Sequence, residues 1–543
     1  MERKLAVKLT PYDLKIPLDV GPGGSTILVW WAANNPYEVI EAFHNEGPIQ
    51  FAKSFTGPTG DCLQEFWETA AESAEFAGHP MLLKSVEEQA VTIPILGFID
   101  GCTVYREKEF IFFLMSSAVS SGCDWDCEFP CIAIPHEFIR KALTLHLVMW
   151  VLSDWFGWNM RVLAGGIALN EGYYHESFKP GSTQAKLAGK PLLGGKYKAA
   201  FAGTTGDYKG RVEWNGFSYY FRCTKCCDGC LGEQPFAKSD KRMTVYNFVA
   251  GAPWEQTMLT NEEIVAREDH ELPPMRIPGM SPSLNHRDPF HTHELGGARD
   301  SAASTSVALL QLGLLSSDHA EAHGKLDAFH DSFDNWCVES LGRKMSAPRL
   351  TLRTLGRAES NVVYPQLSTA WKGMAVRCLI FFLAFYTEKW CQSTSFQQLI
   401  ATHCWALADY LWTCQTAGMT MTAYEKHRAL HAGHVYLVTL QALNVYSRTA
   451  GLFLFRTRPK NHYFHHILKT LQKSKFNPKT WTTIRKESML FKLKRIGRSC
   501  SALTIGKTLL SKYWMHQESR FRIRNKINKR RQASCANSFN REL

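Results

Sequence analysis

The chain has 543 residues with 45% apolar side chains, enough for about two to four ordinary domains with buried cores, which excludes a disordered chain. No apolar run reaches the roughly 18 residues of a membrane span, the stretch 378–386 reads as part of a buried helix, and the charge-interrupted segment 1–17 excludes a secretory signal. The net charge of +12 is concentrated, because residues 492–543 hold 14 Lys or Arg against only Glu518 and Glu542, while the remainder is neutral.

An intracellular chain keeps its 16 Cys as reduced thiols or metal ligands rather than disulfides. Residues 1–90 read as a helical or irregular region: a helical stretch at 64–72 is punctuated by Gly21-Pro-Gly-Gly24 and Gly57-Pro-Thr-Gly60, and no Cys/His finger is present. From residue 91 the pattern changes to short apolar runs of strand length at 91–99, 109–115 and 131–134. Apolar residues at helical spacing then predict a crossover helix over 137–156. A Gly-rich connection over 157–195 leads to a fourth strand at 197–203, which ends near Asp207.

Residues 208–300 are irregular and hold four clustered Cys. Residues 301–450 are strongly helical, with amphipathic windows at 395–413 and 424–448 and no fixed-period repeat. A last strand is predicted at 451–455, followed by a basic His-rich segment and a helix over 483–496. These divisions give an α/β core, a mixed sheet flanked by helices, in two parts (91–207 and 451–500). The parts are separated by the irregular segment and a large helical insertion, and a basic tail follows over 501–543.

Three acids stand in contexts that metal-dependent phosphoryl transfer requires. Asp100 ends the run Ile93-Pro-Ile-Leu-Gly-Phe-Ile-Asp-Gly101, Asp207 lies in Thr205-Gly-Asp-Tyr208, and Glu487 lies in the predicted helix 483–496. Two Mg²⁺ or Mn²⁺ ions held about 4 Å apart can activate a nucleophile and stabilise the leaving oxygen, and these hard cations favour carboxylate ligands. Asp-Gly after an apolar run is also a hairpin signal, and Thr-Gly-Asp-Tyr is an ordinary loop sequence, so it is the combination that carries the reading.

Cys223-Thr-Lys-Cys226 and Cys227-Asp-Gly-Cys230 abut one another, and Asp288-Pro-Phe-His291 follows. Cys227, Cys230 and His291 with Asp288 or a further Cys or His form a candidate closed zinc site; the alternative is a reduced Cys cluster in a loop. Arg456, Arg458, Lys460 and His462 with Tyr463 and Phe464 make a basic aromatic strip suited to phosphates and unpaired bases, or equally a helix start with Pro459 in its first turn. Arg522, Arg524, Lys529, Arg530 and Arg531 form the densest part of the basic tail, suited to phosphates or to a nuclear address, or simply solvated.

Taken in order, Asp100-Gly, Thr-Gly-Asp207, Cys227-Asp-Gly-Cys230, Asp288-Pro-Phe-His291, Arg458-Pro-Lys-Asn-His-Tyr-Phe-His-His466 and 481–487 resemble cut-and-paste DDE transposases. The resemblance is to the CACTA and hAT-like groups, in particular multicopy transposon-derived proteins of protist genomes, and covers roughly residues 90–500. It implies an RNase H-like core, Asp100, Asp207 and Glu487 as the metal-binding triad, and Cys227, Cys230, Asp288 and His291 as the intervening motif. It further implies double-stranded transposon ends as partner, a homo-oligomer and a nuclear location. Lys486 stands where such relatives often carry a second carboxylate. Two other readings stay open: a catalytically inactive DNA-binding protein derived from a transposon, and a helical scaffold with a structural zinc site.

Overall fold

The structure is a computed structural model that describes residues 9, 11–105, 108–218, 221–236, 240–268, 270–315, 321–357, 363–500 and 504–539, without the side chains of 105, 241, 525 and 528–539. The first ninety residues open with a hairpin of β1 (Tyr12–Leu18) and β2 (Ile27–Ala33), which the sequence reading missed, followed by α1 (Pro36–Asn45) and α2 (Cys62–Ala71). β1 alternates buried Tyr12, Leu14 and Ile16 with exposed Asp13 and Lys15, the period-two pattern of a half-buried strand.

The central sheet has five strands in the order β5-β4-β3-β6-β7. β3 (Thr92–Tyr105), β4 (Lys108–Ser117) and β5 (Phe129–Pro135) run as an antiparallel meander. α3 (Ala142–Gly165) then crosses over so that β6 (Lys198–Gly206) lies parallel to β3, and β7 (Asn285–Arg287) lies parallel to β6. α4 (Tyr208–Asn215) leaves directly from the end of β6.

Successive side chains of β4 enter two different cores, as the pleat requires. Ile111, Phe113 and Met115 pack with Phe156 and Trp214 on one face. Phe110, Phe112 and Leu114 pack on the other against helices introduced below, through Met489, Leu493, Leu509 and Tyr513.

A separate apolar core belongs to the helical block, built from α5 (Ala298–Gln311), α6 (Ala322–Leu341), α7 (Gly373–Trp390), α8 (Ser395–Thr416) and α9 (Ala423–Thr449). The chain returns through α10 (Pro459–Lys473), α11 (Ile484–Gly497) and α12 (Ile505–Phe539). At the root of the block, the Arg458 guanidinium pairs with the buried Asp300 carboxylate at 2.7 Å. No helix among the described residues is long and apolar enough to cross a membrane.

Three expectations are corrected. Residues 451–455 form no strand: Phe453 and Phe455 hold positive φ, and the fifth strand is instead the three-residue β7 inside the segment read as irregular. The basic tail is not free over its first turns, because α12 lays Leu509, Leu510 and Tyr513 on the sheet face. There Arg524, expected to contact nucleic acid, donates to both oxygens of Asp126 at 2.8 and 2.7 Å.

Candidate metal centres

Asp100 lies on the central strand, and extending the parallel register from Phe98 opposite Thr205 by two places sets it across from Asp207. Asp207 caps α4, its Oδ1 accepting from Gly210 N at 2.6 Å. Gly210 is required for this approach, since a Cβ there would stand 2.5 Å from the carbonyl oxygen of Ile99. Glu487 comes from the first turn of α11, which packs along β3.

The third donor is His291. Ligand atoms of Asp100, His291 and Glu487 all lie within 4.8 Å of one another, with Nε2 of His291 at 3.5 Å from Oε1 of Glu487. That Oε1 atom is buried and makes no hydrogen bond among the described residues. Asp207 is outside the 4.8 Å group but near enough for its charge to be felt there.

The electrostatics are those of crowded acids. Burial first, then the charges of Asp207 and Glu487, hold the Asp100 carboxyl well above the ordinary carboxylate range. Burial also lifts Glu213 on α4 to about 7; Lys209 opposes the rise, and Asp207 and Glu109 add to it. For His291 burial acts downward, but the hydrogen bond and charge of Asp288, with the charges of Glu487 and Asp207, outweigh it and raise the imidazole. A cation shared among these oxygens would relieve the repulsion, and carboxylate with imidazole donors suits Mg²⁺ or Mn²⁺.

Asp288 and His291, expected beside Cys227 and Cys230, lie here instead, next to the acids. Asp288 accepts from Phe290 N at 2.9 Å, Thr483 N at 3.0 Å, Thr483 Oγ1 at 2.5 Å and His291 Nδ1 at 2.5 Å, which occupies both of its oxygens. It fixes the ring so that Nε2 faces the acids, the carboxylate-histidine arrangement that orients metal ligands. Lys486, adjacent to Glu487, points away into the protein, 3.9 Å from Glu128.

Cys227 and Cys230 find other partners. They meet His462 and His466, one turn apart on α10, in a fully buried Cys2His2 group. Cys227 Sγ stands 3.1 Å from His466 Nε2, Cys230 Sγ 3.3 Å from His462 Nε2, and the two Nε2 atoms 3.1 Å apart. Tetrahedral zinc with Zn–S of about 2.3 Å and Zn–N of about 2.0–2.1 Å would place such donors within a few tenths of an ångström of these separations. Burial drives the His466 imidazole down to about 4, so the ring is neutral and able to ligate. The group could hold a metal ion such as zinc.

His462, read as a nucleic-acid contact, is thus a buried member of this cluster. A His-Xaa3-His pair at helical spacing behind Pro459 was the available signal. Of the other basic candidates, Arg456 and Arg522 are exposed, Arg458 is paired with Asp300, and Lys460 is half-buried. The side chains of Lys529, Arg530 and Arg531 lie outside the described residues. No protein-family model and no curated protein matches this chain.

Proposed function

We propose that the chain is a DDE-type transposase, or a protein derived from one, with an RNase H-like core that hydrolyses a DNA phosphodiester and transfers the freed strand. The observation that carries this reading is the convergence of Asp100, His291 and Glu487 within 4.8 Å from three distant segments, with Asp207 beside them. A first acid on the central strand, a second just after its parallel neighbour and a third on a helix against the same sheet support the RNase H-like assignment.

Asp100, Glu487 and His291, with Asp207 adjacent, would hold the divalent ions, which when bound supply charge neutralisation at the phosphate and an acidified water or hydroxyl. Asp288 holds the His291 ring by Nδ1 with Nε2 turned toward Glu487, and Gly210 lets α4 bring Asp207 against the Asp100 strand. The buried Cys2His2 group fixes α10 beside the site and is closed, as structural zinc sites are. On this reading the substrate is double-stranded transposon ends, and the working form is a nuclear homo-oligomer.

The test is nicking of supercoiled plasmid by the full chain in Mg²⁺ or Mn²⁺. Asp100→Asn and Glu487→Gln are each expected to lower the rate on the order of 10³-fold while leaving DNA binding intact. Full nicking by both variants refutes the assignment. Salt-sensitive binding with no cleavage by the wild-type chain would favour the inactive, DNA-binding alternative.

A further inference from the structure

The reading of the Asp100 site leaves one cation beside it unexplained. Lys460 lies in the first turn of α10, three residues before Tyr463 and so on the same helix face. The Tyr463 ring stacks on Tyr208, with centroids 4.5 Å apart, and both hydroxyls donate to the carbonyl of Cys226, Tyr208 at 2.6 Å. Tyr208 is the residue after Asp207, so this stack seats the Lys460 face of α10 on the start of α4, which the second acid caps.

On its other side the Lys460 stem lies against Gly296, in the turn that follows His291. A Cβ at 296 would stand 2.8 Å from Lys460 Cδ and 2.9 Å from the His291 carbonyl oxygen. The absence of a side chain there lets the lysine pass between the segments that bring Asp207 and His291. Its neighbours are otherwise committed: Arg458 pairs with Asp300, and His462 belongs to the Cys2His2 group. The Lys460 ammonium has neither a hydrogen-bond nor an ion-pair partner among the described residues.

We infer that Lys460 is a catalytic residue whose ammonium binds a non-bridging oxygen of the reacting phosphodiester, held in place by the buried Cys2His2 helix. This rests on the proposed phosphoryl-transfer reading and assigns that site its own fixed positive group. A lysine serves here as a point charge on transferring phosphoryl oxygens, where charge builds in the transition state. It differs from a general DNA contact in acting on the chemical step after the duplex is bound.

The experiment is single-turnover nicking of supercoiled plasmid at saturating protein, with Lys460→Ala and Lys460→Arg compared to wild type. Plasmid affinity and bound zinc are measured on the same preparations. The expected result for Lys460→Ala is a rate lowered about 10²–10³-fold, the cost of removing one such transition-state group, with affinity and zinc content at wild-type levels. Lys460→Arg should restore part of the rate. A Lys460→Ala rate within threefold of an active wild type would overturn the inference. So would loss of zinc or of plasmid affinity in proportion to the rate, because the lysine would then be structural or a binding contact. A wild type that binds but does not nick would instead sink the reading of the carboxylate site itself.

Discussion

The Cys2His2 cluster and the Asp100 cluster both gather side chains from remote segments, but they are made of different materials. The first has soft thiolates and neutral imidazoles, all four residues buried, with donors already at 3.1–3.3 Å. The second has hard carboxylates and one oriented histidine, all half-buried, with burial and then like charges pushing Asp100 upward. A closed set of soft donors fixes geometry; an open set of hard donors leaves room for a substrate oxygen. The helix carrying His462 and His466 joins the two, because its first turn also carries Lys460.

The largest effect that would test this contrast is removal of the closed cluster. Cys227→Ser is expected to lose bound zinc and on the order of 5 kcal/mol of stability, read by metal analysis and thermal unfolding, since a structural zinc site contributes folding energy directly. A variant that kept both zinc and stability would break the comparison.

A change outside both clusters supplies the next measure. Glu38 is buried on α1, accepts from Asn35 at 2.6 Å and Gln184 at 2.8 Å, and is raised by burial to about 7. A raised folded value gives stability that is complete below about 4.5 and is lost as pH climbs through about 7. Glu38→Gln should therefore flatten the stability profile between pH 5 and 8, gaining up to about 3 kcal/mol at the alkaline end. Zinc and Mn²⁺ content should not change; an unaltered pH profile would show that Glu38 ionises without cost.

The smallest expected effect separates ligand from orienter. Asp288→Asn should weaken Mn²⁺ binding at the Asp100 cluster about 10–100-fold, as loss of an outer partner does, while bound zinc stays at the wild-type level. Zinc lost in that variant, with Mn²⁺ binding unaltered, would return Asp288 to the Cys cluster.

The strands β3 to β6 were legible because each is an apolar run bounded by charges or turn residues, and the helices 395–416 and 423–449 because their apolar spacing is sustained. β1 was passed over although Tyr12, Leu14 and Ile16 alternate with Asp13 and Lys15, and β7 has only three residues and owes its pairing to β6. The acids could be named from their local contexts. The pairing of His462 and His466 with Cys227 and Cys230 could not, because the two halves are separated by more than 230 residues, and the spacing of the two histidines marks one helix face without naming its partners. For the same reason Asp288-Xaa-Xaa-His291 was assigned to the wrong cluster: its spacing fits either, and only the folded positions of Thr483 and Glu487 decide.

The ion pair between Asp300 and Arg458 has a consequence for how such a chain can change over time. It brings together the two ends of the helical block, whose middle also meets the α/β unit where Thr420 contacts Thr69 and where Asn477 donates to the Cys414 carbonyl. A single residue gained between Arg458 and His462 would rotate the start of α10 by about 100° relative to the Cys2His2 group and carry Lys460 off the site.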